Sequence, residues 1–345
     1  MPTNTSLSNA KRSALGAAAG VAALLAFSAC QAPFGLGLPS TRALENGAVD
    51  TLTSATSFEM AGSYSGLDSE WSIDLQFVRP GTRHVVVTKT GVKLEAIILD
   101  SSAQAGATQA YFRGNQFLAQ HMGTDQASRN LIKAAGNGWW KGSVANVPAL
   151  PEFTAGVNFR TAFLGTAVSQ RIDHVTVDGI EAVNLSGPRA DVFVAANPPH
   201  RLLRLVMKKG AAVDGILDAD FAYSNFNQDF RIVAPTDVID FSNLSTLPPI
   251  YTVMSVDTSR CTSPCVVSAT IKNLGGKVGA QAPSTITFTV TDSATKQTVG
   301  SCQAKVIPDV GYNASKTVSC TISAVSGQQV QAATVTATPE NPGRG

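Results

Sequence analysis

Between Trp71 and Phe77 the chain alternates without a break: Trp71, Ile73, Leu75 and Phe77 take every second position, with Ser72, Asp74 and Gln76 between them. Successive side chains of a strand point to opposite faces, so four large apolar groups share one sheet face and the other face is wet. Such a chain must cover one face of an antiparallel sheet. Val92, Leu94, Ala96 and Ile98 repeat the pattern against Lys93 and Glu95, after a turn signal at Thr90-Gly91. Gly114-Asn115, between YFR and QFL, and Asp178-Gly179, between HVTV and IEAVNL, read as further hairpin turns, which makes successive strands antiparallel neighbours.

Helical character precedes and interrupts these strands. A weak helix is expected over 42–55, another over 125–135, where Leu131, Ile132 and Ala135 recur, and a weaker one around 157–168. Strands resume with ADVFVAA, a turn at NPPH, RLLRLVMKK, and finally FAYSNFNQDFRIVAPTDVIDF. The order predicts an α+β arrangement in which a few helices cover one face of a long antiparallel sheet. Between the second and third helices, Trp139 and Trp140 stand among glycines, and tandem indoles cannot both point inward from one strand. One of them is a candidate for a cavity mouth or a lipid headgroup contact; the other reading is a structural plug.

Residues 1–29 read as an export signal: a polar start, the basic pair Lys11-Arg12, and an apolar run from Ala14 to Ala29 that is shorter than the roughly 20 residues a spanning helix needs. Small residues Ser28 and Ala29 before Cys30 resemble the bacterial lipobox, whose cysteine is diacylated and becomes the new N-terminus. Phe27 departs from that pattern, and Ala26-Phe27-Ser28 also fits ordinary cleavage before Ala29. Cysteine arithmetic favours lipidation. Four of the five cysteines, Cys261, Cys265, Cys302 and Cys320, share one C-terminal segment, which suggests two disulfides in an oxidising compartment and leaves Cys30 needing another fate. The expected location is therefore the cell envelope, outside the cytoplasm, with the chain held at a membrane through acylated Cys30.

Residues 30–40, rich in Pro and Gly, read as a tether, and SNLSTLPPI at 242–250 breaks the chain again. The division expected is one domain over 41–245 and a second over 250–340, followed by a Pro/Gly tail. About seven short β-prone runs in the second part predict an all-β sandwich of the immunoglobulin or fibronectin type III kind. Cys302 and Cys320 lie symmetrically about Gly311, so a hairpin turning near 309–312 would set them opposite one another. Cys261 and Cys265 would close a small loop at a strand start. A four-thiolate zinc site is the alternative, though paired C-x₂-C spacing is missing.

The stretch DVFVAANPPHRLLRLVMKK, continued by FAYSNFNQDFRIVAPTDVIDF, resembles the last strands of the lipid-carrying lipoproteins of the LolA/LolB and LppX/LprG type. That resemblance covers 41–245 and implies a curved antiparallel half-barrel enclosing a greasy cavity for acyl chains. It makes Trp71, Ile73, Leu75, Phe77, Leu94, Ile98, Trp139 and Trp140 the candidate lining of a ligand groove. A filled core is the other reading of the same stripe. In the second part, ATIKNLGG resembles the strand ending in Asn-x-Gly of bacterial CARDB-like adhesion modules.

Charge excludes one class of partner. The chain carries 26 basic and 24 acidic residues, and without Lys11 and Arg12 the balance is 24 to 24, so no long-range field attracts nucleic acid. Catalytic signatures fail on inspection. His84, His121, His174 and His200 are scattered, GSYSG at 62–66 has Tyr64 where a nucleophile elbow requires serine, and the S-x-x-K at Ser293–Lys296 follows the K-T-G at Lys89–Gly91 in reversed order. Neither an enzyme nor a cofactor is expected. The functions left are carriage of a lipid or other hydrophobic ligand and a structural or adhesive role at the cell surface.

Overall fold

A computed structural model describes residues 38–66, 69–100, 108–147, 149–262, 264–323 and 325–345. The leader and Cys30 lie outside the described residues, as does most of the expected tether. Helix α1 (Thr41–Ser54) opens with Ser40 as N-cap, its side chain accepting a hydrogen bond from the Ala43 amide. Its buried residues Leu44, Ala48, Val49 and Leu52 fall on one face. A Cβ at Gly47 would come within 2.4 Å of His200, so glycine lets the helix lie against the NPPH turn.

Five strands follow: β1 (Ser57–Ser65), β2 (Glu70–Val78), β3 (Thr82–Lys89), β4 (Val92–Leu99) and β5 (Gln109–Arg113). Thr90 and Gly91 both take positive φ, as the tight β3–β4 hairpin requires. Gly114-Asn115 is not a hairpin. Asn115 instead begins α2 (Asn115–His121), because the following residues are good helix formers and bury Leu118. Helix α3 (Gln126–Ala135), capped by Asp125, comes before the short strand β6 (Trp140–Gly142), which pairs with β5. The expected helix at 157–168 is two short turns, α4 (Pro151–Thr154) and α5 (Gly156–Phe159), then a π-helical turn ending at Leu164.

The chain then forms β7 (Gln170–Val177), β8 (Ile180–Ser186), β9 (Ala190–Ala195), β10 (Leu202–Met207), β11 (Ala212–Val213) and β12 (Ile216–Ser224). Among the described residues these strands make one antiparallel sheet in the order β6-β5-β4-β3-β2-β1-β12-β10-β9-β8-β7, with β11 paired to β12, and it does not close into a barrel. Its two halves join where β1 meets β12, with Met60 opposite Tyr223 and Gly62 opposite Phe221. The last expected strand stops at Ser224. Residues 225–241 touch the sheet again at Ile239, which forms a parallel bridge to Trp140. Asn225, Asn227 and Asp237 take positive φ and Pro235 has no amide to donate, so a continuous ladder cannot form.

Beyond residue 250 the described residues form two three-stranded antiparallel sheets. One has the order β13-β14-β17, from β13 (Tyr251–Asp257), β14 (Cys265–Asn273) and β17 (Ser315–Ile322). The other has the order β16-β15-β18, from β15 (Thr285–Asp292), β16 (Thr298–Lys305) and β18 (Ala333–Glu340). Six strands thus take the place of the seven runs expected. Val267, Ala269 and Ile271 of one sheet and Ile286, Phe288 and Val290 of the other share a single buried cluster. Both disulfides form, Cys261–Cys265 and Cys302–Cys320. The second is not a hairpin cross-link: β16 pairs with β15 and β17 with β14, so the bond joins the two sheets with a Cα–Cα distance of 6.1 Å. The segment between these strands arches from one sheet to the other.

Several contacts tie this part to the large sheet. Asn273 is fully buried and uses its whole amide: Oδ1 accepts from the Ile250 and Gly275 amides, and Nδ2 donates to the Gly276 and Val310 carbonyls. Leu247 and Ile250, at the expected break, belong to the core of the large sheet. The expected tail turns back as well. The Arg344 amide donates to Ala134 O, and its guanidinium donates to Asp237 O and pairs with the Asp237 carboxylate at 2.8 Å.

Candidate functional site

On the face of the large sheet that packs against the helices, the apolar residues of β1 to β4 do not fill all the space beneath them. Tyr64, Ile73, Leu75, Val85, Val87, Leu94 and Ala96 form the floor of a cavity of about 190 Å³. Val147 and Leu150 cover it, and the β11–β12 turn, Asp214-Gly215 with Ile216, forms one end. The volume follows from local sequence. The β2 stripe supplies large side chains, but β4 sets Ala96 beside them, and the covering segment before α4 has little regular structure to press down. Leu150 sits at φ 53°, in the left-handed region that leucine rarely adopts, and its side chain is nonetheless buried against the cavity.

Three of the eight candidate groove residues, Ile73, Leu75 and Leu94, line this cavity. Phe77 belongs to the same stripe but stacks on Phe58 at 5.2 Å, away from the cavity lining. Ile98 is buried in the core without lining the space. Trp71 lies at the outer end of the stripe, stacked on Tyr64 and covered by the Lys89 ammonium at 5.0 Å from its ring centroid. The tandem indoles point apart: Trp140 is buried against Phe112, whereas Trp139 is half-buried beneath the Arg113 guanidinium, 4.7 Å from its ring. The backbone on either side of Trp140 anchors residue 239, since the Ile239 amide donates to Trp139 O and the Lys141 amide to Ile239 O. Neither indole lines the cavity.

The sequence reading did not select the polar residues of this site. Arg83, on β3, lines the cavity, and its Nη1 donates to Ala149 O in the cover at 2.9 Å. Burial lowers its pKa, while the nearby Asp100 carboxylate opposes that shift. At the other end, the Asp214 carboxyl is pushed up to about 6 by partial burial and by the adjacent Glu152. Glu152 lies in the first turn of α4; its Oε2 is buried, and its carboxyl meets that of Asp214. A local signal for Asp214 was present in the sequence, because Asp-Gly between apolar runs marks a tight hairpin. Nothing local pairs that turn with Glu152.

On the opposite face of the sheet, Glu95 accepts from Arg113 and contacts His84 at 2.9 Å, and Arg204 forms a bidentate pair with Asp220. These pairs balance charge on a wet face and leave the apolar chemistry to the cavity side.

No family model matches the chain, and no curated protein matches it. Among solved structures it is similar to MucB, in the crystal structure of MucB in complex with MucA(peri), with 12% identity and a TM-score of 0.24 over 87% of this chain and 99% of that one. At that identity and TM-score the likeness carries no argument.

Proposed function

We propose that this chain is a lipoprotein of the bacterial cell envelope, anchored through acylated Cys30, whose large sheet is a curved half-barrel carrying a lipid or other hydrophobic ligand. The observation that carries this reading is the apolar cavity bounded by Ile73, Leu75 and Leu94. Well-packed interiors leave few voids larger than a water molecule, and this space is several times that size. The two disulfides fit an oxidising compartment. No helix among the described residues is long and apolar enough to cross a membrane. The C-terminal sheets are read as an immunoglobulin-like sandwich acting as a spacer, and the role as carriage without catalysis.

Extraction of the purified protein into organic solvent, followed by mass spectrometry, tests carriage, with a stoichiometric hydrophobic ligand as the expected result. Cys30→Ala is expected to release the protein from membranes and abolish labelling by a fatty-acid analogue; equal labelling of both forms, or of neither, rejects the anchor. A second reading, a structural or adhesive surface protein, is favoured by the cavity's size. At about 190 Å³ it lies below the roughly 300–1,000 Å³ usual for drug-sized ligand pockets. An empty extract decides for that reading.

A further inference from the structure

The apolar floor of the cavity continues past its edge. Ile73, Val87 and Leu94 lie opposite one another across β2, β3 and β4, as do Leu75, Val85 and Ala96 one step along. One step the other way, toward the Thr90-Gly91 hairpin, the same face carries Trp71, Lys89 and Val92. Val87 and Leu94 line both the cavity and a groove of about 310 Å³ over these residues. The other wall of the groove is α2, where Phe117, Gln120 and His121 share one helical face and the Phe117 and His121 rings stack 4.0 Å apart. Glycine at 114 permits this approach, since a Cβ there would come within 2.5 Å of Lys93 O on β4. The cavity alone is smaller than a usual ligand pocket, but cavity and groove in line reach the range of roughly 300–1,000 Å³.

Charge separates the two spaces. The described residues lining the groove include no carboxylate, and the Lys89 ammonium has the Trp71 ring as its partner there, 5.0 Å from the ring centre. Arg113 and Arg204, on the opposite face of the sheet, are each answered by a carboxylate, Glu95 and Asp220. Asp214, the carboxylate of the cavity lining, comes from the β11–β12 turn, and β1 and β2 stand between β12 and β3 in the sheet order. A half-exposed cation beside an apolar space favours an anion that also has hydrocarbon to bury. We propose, on the basis of the carrier reading above, that the ligand is an amphiphile with an anionic head group, a phosphate or a carboxylate. Its hydrocarbon lies over Ile73, Leu75 and Val85 in the cavity. Its head lies in the groove against Lys89, between Trp71 and α2.

Isothermal titration of the full-length protein at pH 7.5 and low salt tests this with four probes below their micellar concentrations: decyl phosphate, decanoate, decyl maltoside and decyltrimethylammonium. At least one of the two anions is expected to bind about tenfold more tightly than decyl maltoside, with decyltrimethylammonium weakest; whichever anion leads names the head group. Lys89→Gln is expected to bring the ratio of that anion to decyl maltoside to about one, and Lys89→Arg, which keeps the charge, to preserve it. Both replace a half-exposed side chain at the last position of β3, where the fold has least to lose. Leu75→Trp is expected to weaken all four probes alike, because it occupies the space of the hydrocarbon. Decyl maltoside or decyltrimethylammonium binding as tightly as both anions, or a ratio that survives Lys89→Gln, overturns this inference and leaves the carrier reading standing. If none of the four probes binds, the carrier reading falls with it.

Discussion

The large sheet and the C-terminal pair of sheets solve the same problem by different means. Around α1 and β1 to β12 one long sheet buries many large side chains, including Phe58, Phe153, Phe159, Phe163 and Phe221. That core is extensive enough to leave a cavity under β2 to β4. The C-terminal sheets have fewer residues and a core of mostly small and branched side chains around Phe288. They add two disulfides and one buried amide, Asn273, which joins four backbone groups of three segments. Small cores supply little net stability and are commonly reinforced by cross-links, whereas a larger core can tolerate an unfilled space. A cavity is thus affordable in one region, while specific bonds are needed in the other.

If that contrast holds, the largest effect comes from removing the amide hub. Asn273→Ala leaves the Ile250 and Gly275 amides and the Gly276 and Val310 carbonyls unpaired in a dry site, at about 1–3 kcal/mol for each group left unsatisfied. A loss above about 4 kcal/mol, concentrated in the C-terminal sheets, is expected by denaturant titration with hydrogen exchange. A loss under about 1 kcal/mol breaks the comparison, because the hub would then be dispensable. Next comes the inter-sheet bond. Replacing Cys302 and Cys320 by alanine is expected to cost about 3 kcal/mol, the loop-closure value for a ring of this size. Melting of oxidised and reduced protein reads the same quantity, and equal midpoints reject a stabilising role.

Leu75→Trp sharpens the contrast from the other side. In a filled core the added bulk costs roughly 1–3 kcal/mol, whereas beside the cavity the indole has somewhere to go, and a cost below about 1 kcal/mol is expected together with lost lipid uptake. A large destabilisation with no lipid in the wild-type extract means that the first region is packed as solidly as the second. The smallest effect concerns pH. The Asp214 carboxyl is raised from 3.8 to about 6, so the folded protein binds this proton more tightly than the unfolded chain. Wild-type stability should therefore fall relative to Asp214→Asn as pH rises from 3.8 to about 6, with no further relative change above that window. Asp214 is largely exposed, so the difference is small; urea titrations across this range that show no trend mean that neither burial nor Glu152 raises this carboxyl in the folded protein.

Much of this architecture was legible locally. Period-two alternation places β2 and β4 with their apolar residues toward one face, Thr90-Gly91 and Asp178-Gly179 mark two tight hairpins, and Asp125 caps a helix where the apolar repeat begins. These signals act over a few residues, through side-chain direction, positive φ and capping. The same local logic failed at Gly114-Asn115, where a glycine fits a strand-to-helix junction as well as a hairpin, and at 225–241, where apolar residues recur but the backbone leaves the sheet. Of the candidate groove, local pattern located Ile73, Leu75 and Leu94 but had no means of separating lining from core at Phe77 and Ile98.

Sequence alone determined that one face of a long antiparallel sheet must be covered and that four clustered cysteines belong to the C-terminal part, because side-chain alternation and residue counts do not depend on distant partners. Only the tertiary structure decided that β1 pairs with β12 across nearly half the chain, that Cys302–Cys320 joins two sheets, that Arg344 returns to Asp237, and that Asp214 at the cavity meets Glu152. Each is a contact between segments remote in sequence. Which remote segments meet is set by how whole faces pack and which buried groups find partners, and neither is written in any short stretch of residues.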